Sequence, residues 1–277
     1  MAKKMTMADI ARLSGVGKST VSRYFNGGYV KEETRAKIQK VIEQYHYTPN
    51  AFARLNARQS NVIGVIVPTL NSKITSRVIT SIDRYLREKD YTTLIQNSDH
   101  DIDQELKNIQ RLIQLNVDGI LISSIAITKD HKELLKKAEI PIVVLTQDYE
   151  DGISIIYDDY HAGKMMGEYI GKNGHKKVGY ISVYETDRAV GIERKRGVLD
   201  GLKEYGIDAV VGKSDYSFIG GQKVARELLE EHSDLDAMIC ATDRLAFGTY
   251  KILHEKGKKI PEDVSVAAFG GYEDRKS

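Results

Sequence analysis

From residue 61 onward the chain alternates short β-branched runs with longer amphipathic segments, and that alternation restricts the fold more than any other feature. Val62-Ile63-Gly64-Val65-Ile66-Val67 is a nearly continuous apolar run, the pattern of a parallel strand buried on both faces. Periodicity predicts a helix over residues 76–89, strand over 91–95, helix over 103–115, strand over 119–123, helix over 132–137 and strand over 142–145. The order then repeats: helix 159–172, strand 178–181, helix 193–205, strand 209–211, helix 220–231, strand 237–240, helix 245–256 and strand 264–268. Parallel strands need helical crossovers, so this spacing predicts an α/β body of doubly wound parallel sheets. Two successive runs predict two similar lobes that meet near residues 155–160. A small ligand is expected between them, at the carboxyl ends of the strands.

The first sixty residues differ in kind. Thr6 reads as an N-cap with Asp9 three residues on, and Ile10 and Leu13 form an apolar stripe. Ser14-Gly15-Val16-Gly17 breaks the helix, which resumes over residues 18–25 with Val21 and Phe25 on one face. A third helix over 32–45 turns Ile38, Val41, Ile42 and Tyr45 inward, and Pro49 stops it. This head carries 11 Lys/Arg against 4 Asp/Glu, whereas the whole chain is only +2, so a basic head sits on a mildly acidic body. That asymmetry favours a polyanion partner for the head alone. The single cysteine, Cys240, excludes an internal disulfide, and no apolar run reaches the ~18 residues that span a bilayer. A reducing cytoplasm and no membrane are therefore expected.

Two short helices around a tight glycine turn make a helix-turn-helix candidate, whose second helix enters the DNA major groove. Lys18 and Arg23 can donate to guanine, and Ser19 can reach a base edge or the backbone. The run from Thr6 to Arg23, TMADIARLSGVGKSTVSR, resembles the head of the LacI family of bacterial transcription regulators. Tyr47-Thr48-Pro49-Asn50-Ala51-Phe52-Ala53-Arg54 resembles the segment that follows it. Within the family the chain looks most like sugar-operon repressors of the sucrose or trehalose type. The resemblance implies a head and hinge over residues 1–60, the hinge at 50–58, and a two-lobed, periplasmic-binding-protein-like core over 61–277. It also implies that Lys18, Ser19 and Arg23 read operator bases, while Thr6, Ser22 and Tyr29 contact the backbone. By the same resemblance, the segment from Asn50 to Asn56 is expected to be a hinge helix of the kind that in this family folds on DNA and inserts a leucine into the minor groove. Leu55 is that leucine's candidate, one residue nearer the asparagine than in the family pattern.

A sugar site needs polar groups for hydroxyls and an aromatic face for the ring. By resemblance, Arg194 matches the family arginine that reaches the effector, Tyr216 the aromatic of the pocket, and Thr242 or Asp243 a ligand-facing position. Asp243 also reads as a simple helix cap. Asn71, Ser123 and Gln147 lie at strand ends of the first lobe. Gly270 stands where most relatives have an effector-binding aspartate, so the effector is expected to be held differently, with Tyr272 or water compensating. Relatives are also expected to continue past residue 277 with another strand, a helix and a return crossover. Asp158-Asp159 reads as a helix N-cap rather than a catalytic acid pair. The seven histidines show no metal-ligand spacing, and no phosphate loop or catalytic constellation occurs.

The expectation is thus a repressor of a carbohydrate-utilisation operon that needs no cofactor or metal. It binds operator DNA as a homodimer, because two half-sites one helical turn apart multiply a weak single contact. A sugar or sugar phosphate between the lobes controls it. Alternatives are a global carbon regulator with a protein co-effector, a solute-binding module without DNA function, or an enzyme on an α/β scaffold. The basic head argues against the second, and the lack of a catalytic set against the third.

Overall fold

A computed structural model describes residues 5–25, 28–47 and 60–271. The chain divides into two compact units, residues 1–61 and 62–277.

Among the described residues the first unit has three helices: α1 (Met7–Ser14), α2 (Lys18–Phe25) and α3 (Glu32–Gln44). Thr6 and Asp9 form a reciprocal capping box, the Thr6 hydroxyl accepting from the Asp9 amide and the Asp9 carboxylate from the Thr6 amide. Gly15 ends α1 in the left-handed region at φ 68°. Ile10, Ala11, Val21, Val30, Ile38 and Val41 form the core. Leu13 and Tyr45 are exposed, contrary to the predicted stripes. The inward place beside Ile10 goes instead to Ser14, whose hydroxyl donates to the Ile10 carbonyl at 2.6 Å. Replacing Thr6 with alanine removes half the capping box. It is expected to lower the local stability of α1 by about 1 kcal/mol, read as faster amide exchange in that helix.

The second unit holds two parallel sheets. The first lobe runs β1 (Val62–Val67), α4 (Lys73–Glu88), β2 (Thr92–Asn97), α5 (Ile102–Gln114), β3 (Gly119–Ser123), α6 (Lys129–Lys137), β4 (Ile142–Leu145) and β5 (Ile153–Ile155), in sheet order β2-β1-β3-β4-β5. The second lobe runs α7 (Asp159–Lys172), β6 (Val178–Val183), a π-helical turn (Arg188–Arg194), α8 (Lys195–Lys203), β7 (Val210–Ser214), α9 (Phe218–Glu231), β8 (Ala237–Cys240), α10 (Asp243–Glu255) and β9 (Ser265–Ala268), in order β7-β6-β8-β9. The predicted alternation is present. Three details differ. β5 is a short strand with exposed isoleucines, which periodicity does not reveal. α4 starts at Lys73 because Ser72 caps it. The helix expected over 193–205 is a π turn that passes into α8. A π turn takes one extra residue per bond and often marks a functional position.

Two packing features hold these lobes. In the second, the backbones of α7 and α8 touch. A Cβ on Gly167 would lie 2.3 Å from the Val198 carbonyl oxygen, and one on Gly201 2.3 Å from that of Lys164. In the first, a buried polar chain joins three elements. His131 Nε2 meets Glu105 Oε1 at 3.0 Å, and the Ser98 hydroxyl reaches the other Glu105 oxygen at 3.4 Å. The Thr128 amide donates to His131 Nδ1 at 3.2 Å, so Nδ1 is an acceptor and Nε2–H is the donor to the carboxylate. Among the described residues no helix is long and apolar enough to cross a membrane, and no group of three His, Cys, Asp or Glu could hold a metal.

Candidate ligand cleft and DNA-contact face

The strand order of each sheet reverses beside its first strand, and the carboxyl ends there face the other lobe. β6 leads through Tyr184 to Asp187, which caps the π turn. One Asp187 oxygen accepts from the Val190 amide at 3.0 Å and from Gln147 Nε2 at 3.2 Å, and the other accepts the Tyr216 hydroxyl. Gln147 belongs to the first lobe and is buried. The residue before it, Thr146, sits at φ 72°, a conformation that β-branched residues rarely adopt. Its hydroxyl donates to the Ser124 carbonyl at 2.9 Å and its amide to the Ile155 carbonyl at 2.9 Å. Such strain persists only where surroundings enforce it. Here it directs Gln147 across the cleft.

The Tyr216 ring is stacked against His100 of the first lobe, centroids 5.4 Å apart and planes 10° from parallel. Burial, reinforced by the Asp187 carboxylate, holds the Tyr216 hydroxyl well above the ordinary tyrosine range, so it remains a donor. Burial likewise lowers His100 below its usual 6.5, against the opposing pull of Asp99, Asp187 and Asp215. The unfolded chain then binds a proton at His100 more readily than the folded one. The stability this group contributes is present above about pH 6.5 and is lost as pH falls through its lower folded value. Melting temperature measured at pH 7.5 and 5.5 should therefore fall less in His100→Phe than in the unmodified chain.

Arg194 ends the π turn. Its Nε and Nη2 both donate to Asp159 Oδ1, its Nη1 donates to the Ala241 carbonyl at 2.7 Å, and its guanidinium lies 4.7 Å over the Phe269 ring. Asp159 is buried, and Asp158 alone caps α7. The shared capping role expected of Asp158-Asp159 is thus divided: one residue caps, the other pairs with Arg194. Thr242, not Asp243, caps α10, accepting from the Leu245 amide. Asp243 is buried, with its amide on the Phe269 carbonyl at 2.9 Å and its carboxylate beside Gly270. A Cβ at Gly270, which sits at φ 137°, would lie 2.7 Å from Asp243 Oδ2. A side chain at 270 would thus meet the Asp243 carboxylate and be opposed by the positive φ, so the acid nearest this point is Asp243.

Asn71 lies at the exposed rim. Its amide bonds the Thr69 hydroxyl at 3.1 Å, and its carbonyl accepts Arg244 Nη1 at 2.9 Å. Ser123 is the half-buried last residue of β3. The structure therefore gathers Gln147 and Tyr216 on Asp187. Arg194, Thr242 and Asp243 cluster around the end of β8, and Asn71 meets the second lobe through Arg244. Sequence reasoning missed Asp187, His100 and Arg244. Only Asp187 left a local signal, an acid placed to cap a helical turn.

In the first unit Lys18, Ser19 and Arg23 are exposed along α2, while Val21 on its opposite face is fully buried. Ser22 is half-buried, Tyr29 is 82% exposed, and Thr6 is exposed while serving its cap. Asn50 and Leu55, with the rest of the predicted hinge, lie outside the described residues, as does Tyr272.

Residues 6–50 match the bacterial regulatory proteins of the lacI family, and residues 60–275 match the periplasmic binding proteins and sugar binding domain of LacI family. The chain belongs to the LacI family. Its relatives include the sucrose operon repressor of Staphylococcus xylosus, 32% identical over 96% of this chain and 83% of that protein. The catabolite control protein A of Priestia megaterium is 29% identical over 96% of this chain and 82% of that protein. Among solved structures, the lac repressor dimer bound to operator and an anti-inducer superimposes with a TM-score of 0.82 at 24% identity, over 98% of this chain and 84% of that one. The CelR–cellobiose complex gives 0.66 at 24% identity, over 95% and 81%. LacI-family proteins are transcriptional regulators rather than enzymes. The parts described above are those of a regulator, a helix-turn-helix and a two-lobed body of parallel sheets.

Proposed function

We propose that this LacI-family protein represses a carbohydrate-utilisation operon and is released or engaged by a sugar bound between its lobes. The observation that carries the reading is the cleft itself. Asp187, Gln147, Tyr216 and Arg194 present carboxylate, amide, hydroxyl and guanidinium groups beside an aromatic face, a set suited to sugar hydroxyls. Arg194, Tyr216, Gln147, Thr242, Asp243, Ser123 and Asn71 are its effector residues, with Asp187 and His100 added by the geometry. Lys18, Ser19 and Arg23 read base edges from α2, and Thr6, Ser22 and Tyr29 meet phosphates. The protein acts as a homodimer in the cytoplasm, each head on one half-site of a palindrome. A relative that is a sucrose operon repressor supports a sugar of that kind as effector.

The test is operator binding by fluorescence anisotropy across a salt series, with and without sucrose, fructose, glucose and trehalose. Affinity is expected to fall steeply with salt, because displaced counterions scale with phosphate contacts. One sugar is expected to shift it by about 5–150-fold. Arg23→Ala is expected to cost about 1–3 kcal/mol and to relax base preference. Salt-insensitive binding, or none to any palindromic site, sinks the DNA reading.

A further inference from the structure

The face that Tyr216 turns to the first lobe is not open. The ring packs against the apolar core of its own lobe, and His100 of the first lobe is stacked on it. The apolar side of a sugar ring would have to lie in the same place. A sugar between the two rings would need them about 7–8 Å apart, because each carbon contact takes about 3.5–4.0 Å. Their centroids are 5.4 Å apart and their planes within 10° of parallel. His100 and a stacked sugar therefore exclude each other.

The backbone at His100 is pinned while its ring is not. The His100 amide donates to the Pro68 carbonyl at 2.9 Å, and the Asp101 amide to the Ser98 carbonyl at 3.0 Å. Ser98 donates to the Val67 carbonyl through both its amide, at 2.9 Å, and its hydroxyl, at 3.2 Å. These bonds fix the turn. The imidazole makes no hydrogen bond among the described residues, and away from Tyr216 the residue is exposed. Rotation of the side chain alone uncovers Tyr216. A ring stack of this kind is worth only a factor of about 2–10 in an equilibrium, so a ligand can displace it.

We propose that His100 is a gate over the effector site: its imidazole holds the place on Tyr216 that a sugar ring takes, and it swings out when the effector binds. This gate rests on the sugar-responsive function proposed above and deepens it. Opening carries a proton signature. Asp99 on the same turn, and Asp187 and Asp215 of the second lobe, all draw a proton to His100, and Tyr216 stays a neutral donor. The loss of water against Tyr216 outweighs those acids and holds the imidazole below its ordinary value. Swung out, the ring regains that water and keeps Asp99 beside it in the chain. It then binds a proton more readily. Effector binding therefore takes up protons and tightens as pH falls from 7.5 toward 5.5.

The test is calorimetric titration of the full chain with sucrose, fructose, glucose and trehalose at pH 7.5 and 5.5, and at pH 6.5 in two buffers of different ionisation enthalpy. His100→Gly keeps the left-handed backbone, φ 60°, without a ring. His100→Phe keeps a ring that cannot titrate. Circular dichroism melts confirm that each variant is folded. His100→Gly is expected to bind the effector about 2–10-fold more tightly at pH 7.5, the worth of the vacated stack. The unmodified chain is expected to bind at least ~2-fold more tightly at pH 5.5 than at 7.5, with net proton uptake. Both effects are expected to vanish in the two variants. Sugar binding seen only in His100→Gly supports the gate equally. A sugar that binds the unmodified chain, and binds His100→Gly no more tightly, overturns the gate and leaves the sugar reading standing. Proton uptake that persists in His100→Phe overturns the coupling to His100. No binding by any sugar to any of the three proteins overturns the sugar reading and the gate with it.

Discussion

Gly167→Val is expected to destabilise the second lobe strongly. A Cβ at residue 167 would already stand 2.3 Å from the Val198 carbonyl oxygen and 2.8 Å from the Leu202 amide nitrogen. Both obstacles are backbone, so no side chain can rotate out of the way. α7 would have to move off α8, and with it the reciprocal approach of Gly197 to the Tyr160 carbonyl and of Gly201 to that of Lys164. Overpacking a tight contact typically costs about 1–3 kcal/mol and sometimes more. Separating two helices along their whole contact belongs at or above the upper end. Urea unfolding followed by circular dichroism reads it as a lowered midpoint with an unchanged slope. Gly174→Ala is the comparison. A side chain at 174 meets nothing within 4 Å, and only its φ of 89° opposes substitution, so about 1 kcal/mol is expected there. Equal costs at the two sites would show that the α7–α8 contact does not hold the lobe.

Arg194→Met comes next, and its effect has two separable parts. The methionine fills much of the volume over Phe269 but leaves Asp159, 5% exposed, with its main cationic partner gone. Removing one member of a buried pair costs about 3–5 kcal/mol, most of it from the stranded charge. The double variant Arg194→Met/Asp159→Asn removes that charge and should recover a large part of the stability. Effector response should stay lost in both, because the arginine is gone from both. Unfolding curves separate the first effect, and operator binding with and without sugar the second. Sugar response that returns with stability would mean that Arg194 only supports the fold.

Much of the architecture was legible because it follows from short-range periodicity. β-branched runs marked the strands, and the Thr6–Asp9 capping box and the Gly15 break were local patterns. The cleft was only half legible. Arg194 and Tyr216 could be picked out, but what they touch could not. Arg194 pairs with a residue 35 positions away, Gln147 with one 40 away and Arg244 with one 173 away. No spacing rule reaches that far, because the sheet order and the crossover decide these meetings. His100 was missed for a different reason. It and Asp99 are successive left-handed residues, at φ 60° and 54°, and that turn carries the ring to Tyr216. β5 escaped notice because three residues carry too little pattern. Leu13 and Tyr45 were misassigned because a helix of eight or thirteen residues in a small helical unit buries a narrower stripe than its apolar residues suggest.

Asp187 already accepts three hydrogen bonds from the protein itself, from Val190, from Gln147 and from Tyr216. A sugar hydroxyl that reaches this carboxylate meets a group largely engaged already. It trades places, each hydroxyl replacing a donor that the protein had supplied to itself. Net affinity in such a swap is modest, since bonds are exchanged rather than gained. Discrimination is severe, since an analogue lacking one hydroxyl displaces a donor and returns nothing to the buried carboxylate. The cleft should therefore answer sharply to the pattern of hydroxyls on its ligand and only weakly to ligand size.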